Sequence, residues 1–244
     1  MRHVAVDALV DGLAAIATVS DVWLTGSLAV GDHHPGASDI DMVAITTGAL
    51  TRDHLDRVVA LHRHIDATSG RGSALGCVYV EVDELATTGH RCPTWTHGKL
   101  VQRSLSPIAR AEILAHGLAL VGRDPRSLLA PMSDRDVRAA ARAELAGYWT
   151  WAAARPWLFL ETAFADLALV TMARARHTLT TGALLSKTDA IALVRAPAAV
   201  VSGIGRRRSS PRRTSPLAPR VAHHAWRDTR RTLAEHACVG SSNG

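Results

Sequence analysis

Between Ser38 and Ile45 the chain reads Ser-Asp-Ile-Asp-Met-Val-Ala-Ile, so two carboxylates enter an apolar run one residue apart. Residues i and i+2 of a β-strand point to the same side. Asp39 and Asp41 therefore project together from one face, while Ile40 and Met42 turn toward a core. Carboxylates are costly to bury without partners, and two this close repel unless a cation sits between them. Hard oxygen ligands suit Mg²⁺, which takes one or two protein carboxylates and completes its shell with water and phosphate oxygens. Asp39 and Asp41 are thus candidate metal ligands in a metal–nucleotide site.

The segment just upstream supplies the other half of such a site. Val22 to Leu24 is a short β-type run that stops at Thr25-Gly26-Ser27. Gly26 allows close approach of backbone to a ligand. Ser27 offers a hydroxyl, and amides that follow it, if they open a helix, face an anion. Residues 32–38 have loop chemistry and bring Ser38 back beside Asp39. Phosphates at Gly26, Ser27 and Ser38, next to a metal at Asp39 and Asp41, make a phosphoryl-transfer site.

The surrounding pattern predicts a small α/β unit. Apolar residues at helical spacing predict a helix over 4–17, and Thr51 caps another over 51–64. A third strand is expected at 75–82, an irregular stretch at 84–104, a helix over 106–116 with Pro107 in its first turn, and a short strand at 118–121. From residue 133 the chain reads as helices, at 133–154, 156–181 and 186–194. Residues 201–219 are rich in Ser, Pro, Arg and Gly and read as a linker, followed by a final helix over 221–237.

Charge and cysteines narrow the function classes. The formal net charge is +6, but ten of the 28 Lys and Arg residues, and two of the 22 acids, lie from Arg195 onward. The basicity belongs to a tail, which reads as a solvated extension; nucleic acid is its alternative partner. Three widely spaced cysteines, Cys77, Cys92 and Cys238, form no CxxC pair and suit a reducing cytoplasm. Asp7 and Asp11 interrupt the apolar N-terminus, which argues against a signal peptide, and no apolar run is long enough for a membrane span.

Strand, Gly26-Ser27, short loop, Ser38-Asp39-Ile40-Asp41, strand: this joint pattern resembles the nucleotidyltransferases of the polymerase-β superfamily. The stretch from Leu169 to Lys187 is similar to the C-terminal helical segment of aminoglycoside adenylyltransferases that act on streptomycin and spectinomycin, and residues 116–125 resemble that family's connection between domains. The resemblance covers roughly residues 20–195. It implies an α/β polymerase-β-like catalytic domain over 1–125 and an all-α domain over 126–195; outside it, composition marks a basic, partly disordered extension over 196–244. It implies transfer of AMP from Mg·ATP to an aminoglycoside hydroxyl, with Arg174 and Lys187 reaching the ATP phosphates.

The resemblance also implies a third carboxylate, a general base, on the strand after Asp41. In the register read here that position falls at Gly76, which has no side chain. Glu81 is the nearest acid within the strand; a shifted register and an altered site are the alternatives. For a polycationic acceptor, acids and aromatic faces should line the pocket. Trp95, Glu161 and Asp166 are the candidates, although Phe164 stands where the family has its acid. A protein or RNA acceptor, or nucleotide binding without turnover, are the competing functions.

Overall fold

Strict alternation in the central strands builds a sheet with two different faces. The structure, a computed structural model, describes residues 3–68, 74–209 and 219–237. It divides into two units, Met1–Pro131 and Met132–Gly244.

The first unit begins with helix α1 (Val4–Leu13), capped by the His3 side chain. Strand β1 (Val19–Thr25) runs into a single helical turn, α2 (Gly26–Ala29). Strand β2 (Ile40–Thr46), helix α3 (Arg52–Thr68) and strand β3 (Leu75–Glu81) follow. Next come β4 (Arg91–Thr96), β5 (Lys99–Ser104), α4 (Pro107–His116), β6 (Leu118–Val121) and the short α5 (Pro125–Leu128). The six strands lie in the order β5-β4-β3-β2-β1-β6. Only β2 and β3 are parallel neighbours; the other pairs are antiparallel.

One face carries Val22, Leu24, Ile40, Met42, Ala44, Leu75, Cys77 and Tyr79 and is covered by α1 and α3. The opposite face carries Trp23, Val43, Ile45 and Val80 and packs against Ile113 of α4 and Leu129. Each face removes its large side chains from water, worth about 2 kcal/mol for each one fully buried. Residues 84–104 are not irregular, as the sequence suggested, because 91–104 form the β4–β5 hairpin. Pro93 is compatible with pairing on the outer side, and His97-Gly98 make a two-residue turn with positive φ at both positions, 50° and 74°.

In the second unit the described residues form helices alone. Helix α6 (Asp134–Glu144) starts at a capping box between Ser133 and Asp136, then passes through a π-helical turn (Leu145–Trp149) into α7 (Thr150–Ala153). A 3₁₀ segment (Pro156–Leu160) precedes the central helix α8 (Thr162–Thr181). Helices α9 (Lys187–Ile191), α10 (Ala198–Arg208) and α11 (Pro219–Ala237) complete it. Residues 201–208, read from sequence as linker, belong to α10, where Gly203 and Ile204 are buried. The rest of that linker, 210–218, and Cys238 lie outside the described residues.

The C-terminal stretch is not simply a solvated extension. Arg176 of α8 is 9% exposed and donates to both carboxylate oxygens of Asp228 on α11 at 3.0 Å and to Thr232 at 2.7 Å. Arg207 of α10 grips Asp166 of α8 with two bonds of 2.6 and 2.7 Å. Buried ion pairs need such saturation to repay desolvation. No described helix is long and apolar enough to cross a membrane.

Candidate active site

The end of β1 and the start of β2 meet through register. Thr25 pairs with Asp41, and the Thr25 hydroxyl donates to the Asp41 carbonyl at 3.2 Å. Gly26 follows at φ +62°, and a Cβ built there would collide with the Asp41 carboxylate. Glycine is required twice over, by the left-handed backbone and by the close approach. Ser27 donates to the Asp39 carbonyl at 3.4 Å. Ser38 is buried, and its hydroxyl accepts from the His34 amide at 3.1 Å, which shapes the loop returning to Asp39.

Asp41 is exposed and Asp39 is half-buried. Asp41 shares its side of the sheet with Val43 and Ile45, the face under α4, but lies beyond the packed core at the strand's start. The apolar residues between and after them are buried, while the carboxylates sit at the rim. Gly26, Ser27, Ser38, Asp39 and Asp41 are thereby brought to one place. Two same-sided carboxylates at an open rim fit a Mg²⁺ whose remaining ligands are water and phosphate. Among the described residues no cluster of three or more His, Cys, Asp or Glu offers a fully protein-built metal cage.

Glu81 is not part of this cluster. The parallel register sets Asp41 beside Gly76 and Glu81 beside Thr46, at the opposite end of the strands. At the usual rise per residue that is about 16 Å from the Gly76 level. Gly76 itself stands open: a Cβ there would meet the Trp95 carbonyl at 3.5 Å and the Asp41 carboxylate at 3.9 Å, both ordinary contacts.

Trp95 is 1% exposed and offers no ring face to an acceptor. It stacks on His62 at 5.0 Å and 12°, and its indole donates to Asp66 at 3.2 Å. His62 contacts the Tyr79 hydroxyl at 2.8 Å, and burial holds its pKa down at about 3. In the second unit, Asp166 is engaged by Arg207, and Glu161 is exposed at the start of α8. Phe164 packs edge-on against Phe159. Arg174 donates through Nε to the Leu185 carbonyl at 2.7 Å, bracing the loop that leads into Lys187, the exposed first residue of α9.

Sequence reasoning passed over Thr96 and His97. Cys77 pairs with Trp95, and one step further along the ladder Thr96 comes beside Gly76, on the side shared with Asp41. The His97 Nδ1 lies 2.8 Å from the Thr96 hydroxyl. The signal was present as His97-Gly98 between two runs able to form a hairpin.

Comparison with known proteins finds a matching domain family and a similar fold. Residues 6–72 match the model of the nucleotidyltransferase domain family, a span that includes Gly26, Ser27, Asp39 and Asp41. The stretch that matches this domain family lies in the mixed-sheet unit, which is followed by the C-terminal helices. The fold of the chain is similar to the crystal structure of spectinomycin adenyltransferase AAD(9) from Enterococcus faecialis with ATP and spectinomycin, at a TM-score of 0.70 and 14% identity. That likeness, one of fold, covers 93% of this chain and 98% of the other, so it extends past residue 195 into the C-terminal helices. No curated protein matches the chain significantly by sequence.

Proposed function

We propose that the protein transfers AMP from Mg·ATP to a hydroxyl of an aminoglycoside of the streptomycin and spectinomycin type, releasing pyrophosphate. The observation that carries this reading is the packing of Gly26 against the Asp41 carboxylate, which sets a side-chain-free backbone turn beside the acid pair. The fold of a spectinomycin adenyltransferase supports the acceptor class.

In this reading Gly26 and Ser27 hold phosphate oxygens, with Ser38 fixing the loop that presents Asp39. Asp39 and Asp41 hold the cation. When bound, Mg²⁺ supplies charge stabilisation at the α-phosphate and lowers the proton affinity of the attacking oxygen. Arg174 and Lys187 are proposed, from the sequence resemblance, as cations that stabilise the departing pyrophosphate. Glu161 remains an exposed candidate for the acceptor. A cytoplasmic setting accords with Cys77 and Cys92, which are buried and unlinked.

The test is pyrophosphate release from Mg·ATP over an acceptor panel that includes spectinomycin, streptomycin, RNA and protein. Release with spectinomycin or streptomycin, and AMP found on the antibiotic, is the expected result. AMP on RNA or protein alone would sink the antibiotic assignment. One observation favours a second reading, nucleotide binding without transfer: Gly76 places no side chain next to Asp41. Tight Mg·ATP binding with no release over the whole panel would establish it.

A further inference from the structure

Transfer to a hydroxyl needs a group to take its proton, and the strand beside Asp41 offers none at that level. Gly76 is a bare position, and Glu81 lies at the strand's other end. The next strand out does offer one. Thr96 ends β4 on the same side of the sheet as Asp41, across Gly76, and His97 is joined to it at 2.8 Å. Two strand spacings separate β2 from β4, about 10 Å. Between them, at Gly76, no side chain intervenes.

We propose that His97 is the general base of the transfer and that Thr96 orients it; the proposal rests on the nucleotidyltransferase reading above. The His97 Nδ1–H donates to the Thr96 hydroxyl oxygen, which leaves the Nε2 lone pair for the acceptor. The acceptor hydroxyl, seated over Gly76, attacks the α-phosphorus of ATP, and the new O–P bond forms as the bond from the α-phosphorus to the bridging oxygen breaks. The bond electrons leave with pyrophosphate. The hydroxyl proton passes to Nε2, giving an imidazolium that later returns it to water. Imidazole is suited to this exchange near neutral pH.

The hairpin supports the assignment independently. His97 occupies the first position of a two-residue turn at φ +50°. Such turns favour Asn followed by Gly, since both residues need positive φ. A histidine here holds a less favoured backbone at the sheet end that carries Asp41.

The turn preference also gives a clean experiment. His97→Asn keeps a residue suited to the turn and removes the base. With spectinomycin as acceptor, kcat is expected to fall by about 100-fold or more, with Mg·ATP affinity measured by calorimetry unchanged. Adding Gly76→Glu to that variant is expected to restore kcat at least about tenfold, because a carboxylate then stands next to the same gap. A kcat near wild type in His97→Asn overturns the proposal. So does a loss matched by equally weakened Mg·ATP binding, or a loss that Gly76→Glu leaves untouched. Wild-type protein that binds no Mg·ATP, or releases no pyrophosphate with any acceptor, instead overturns the function on which the proposal rests.

Discussion

Asp21 and Asp41 lie on neighbouring antiparallel strands and on the same side of the sheet, yet at opposite ends and in opposite circumstances. Asp21 pairs with Ile45 and Asp41 with Thr25, so Trp23 and Val43 stand between them. Asp21 is 1% exposed and accepts from the Arg123 amide at 2.6 Å, its guanidinium at 3.0 and 2.7 Å, and the Ser20 hydroxyl at 2.6 Å. The Arg123 hydrogen bonds hold its pKa down at about 2, against the opposing effect of burial. Asp41 is exposed, with the Gly26 backbone turn against its carboxylate. One carboxylate is consumed in closing the fold; the other stands at the rim, where the proposed cation would be held. Environment, rather than residue type, separates a structural acid from a functional one.

The largest expected contrast comes from neutralising the rim. Asp39→Asn or Asp41→Asn should lower AMP transfer by about a thousandfold or more, about 4 kcal/mol of barrier. The melting temperature should stay close to wild type, because neither change opens a core. Wild-type transfer in both variants would remove the metal assignment.

A second contrast concerns buried groups and pH. His62 titrates at about 3 in the fold, against 6.5 when exposed, because burial disfavours its charged form. The unfolded chain therefore holds one more proton between those values. The contribution is whole above the unfolded value and is lost at about 1.4 kcal/mol per pH unit as pH falls toward the folded one. Urea midpoints measured from pH 7 to 4.5 should show this slope, and His62→Phe should flatten it. Identical slopes in the two proteins would contradict the buried, neutral imidazole.

Asp21 should behave inversely to Asp41. Asp21→Asn is expected to cost about 2 kcal/mol of stability at neutral pH while leaving kcat intact. Since its folded pKa is depressed, the wild-type contribution is complete above 3.8 and disappears as pH falls through about 2. A variant as stable as wild type at pH 7 would show that Arg123 holds nothing in place.

The smallest effects separate the two glycines that flank Asp41. Gly26→Ala meets both a left-handed backbone and the Asp41 carboxylate and should cost about 1–2 kcal/mol, with weakened Mg·ATP binding. Gly76→Ala meets ordinary contacts alone and should stay within about 0.5 kcal/mol of wild type. Equal losses from the two, in parallel denaturation curves, would refute the unequal crowding around Asp41.

Much of this was legible in the chain because it depends on neighbours. Alternation fixed the faces of β2 and β3, Thr51 and Pro107 announced their helices, and Gly26-Ser27 with Asp39 and Asp41 marked the candidate site. The β4–β5 hairpin was hidden by Pro93 and by His97 in a position where asparagine is the usual signal. The final helix was expected, but α10 and the packing of both C-terminal helices were hidden by composition. Their arginines read as a solvated tail, whereas Arg207 is spent on Asp166, and Asp228 waits on α11 for Arg176.

What the sequence determined by itself was local chemistry: which residues share a face, where helices start, and which acid pair could hold a cation. What the tertiary structure alone decided was registration. A period of two assigns a side chain to a face but is blind to a slip of two residues, which preserves every face. Only the pairing of β2, β3 and β4 sets Gly76 beside Asp41, sends Glu81 to the far end, buries Trp95 against His62, and brings Thr96 and His97 to the rim.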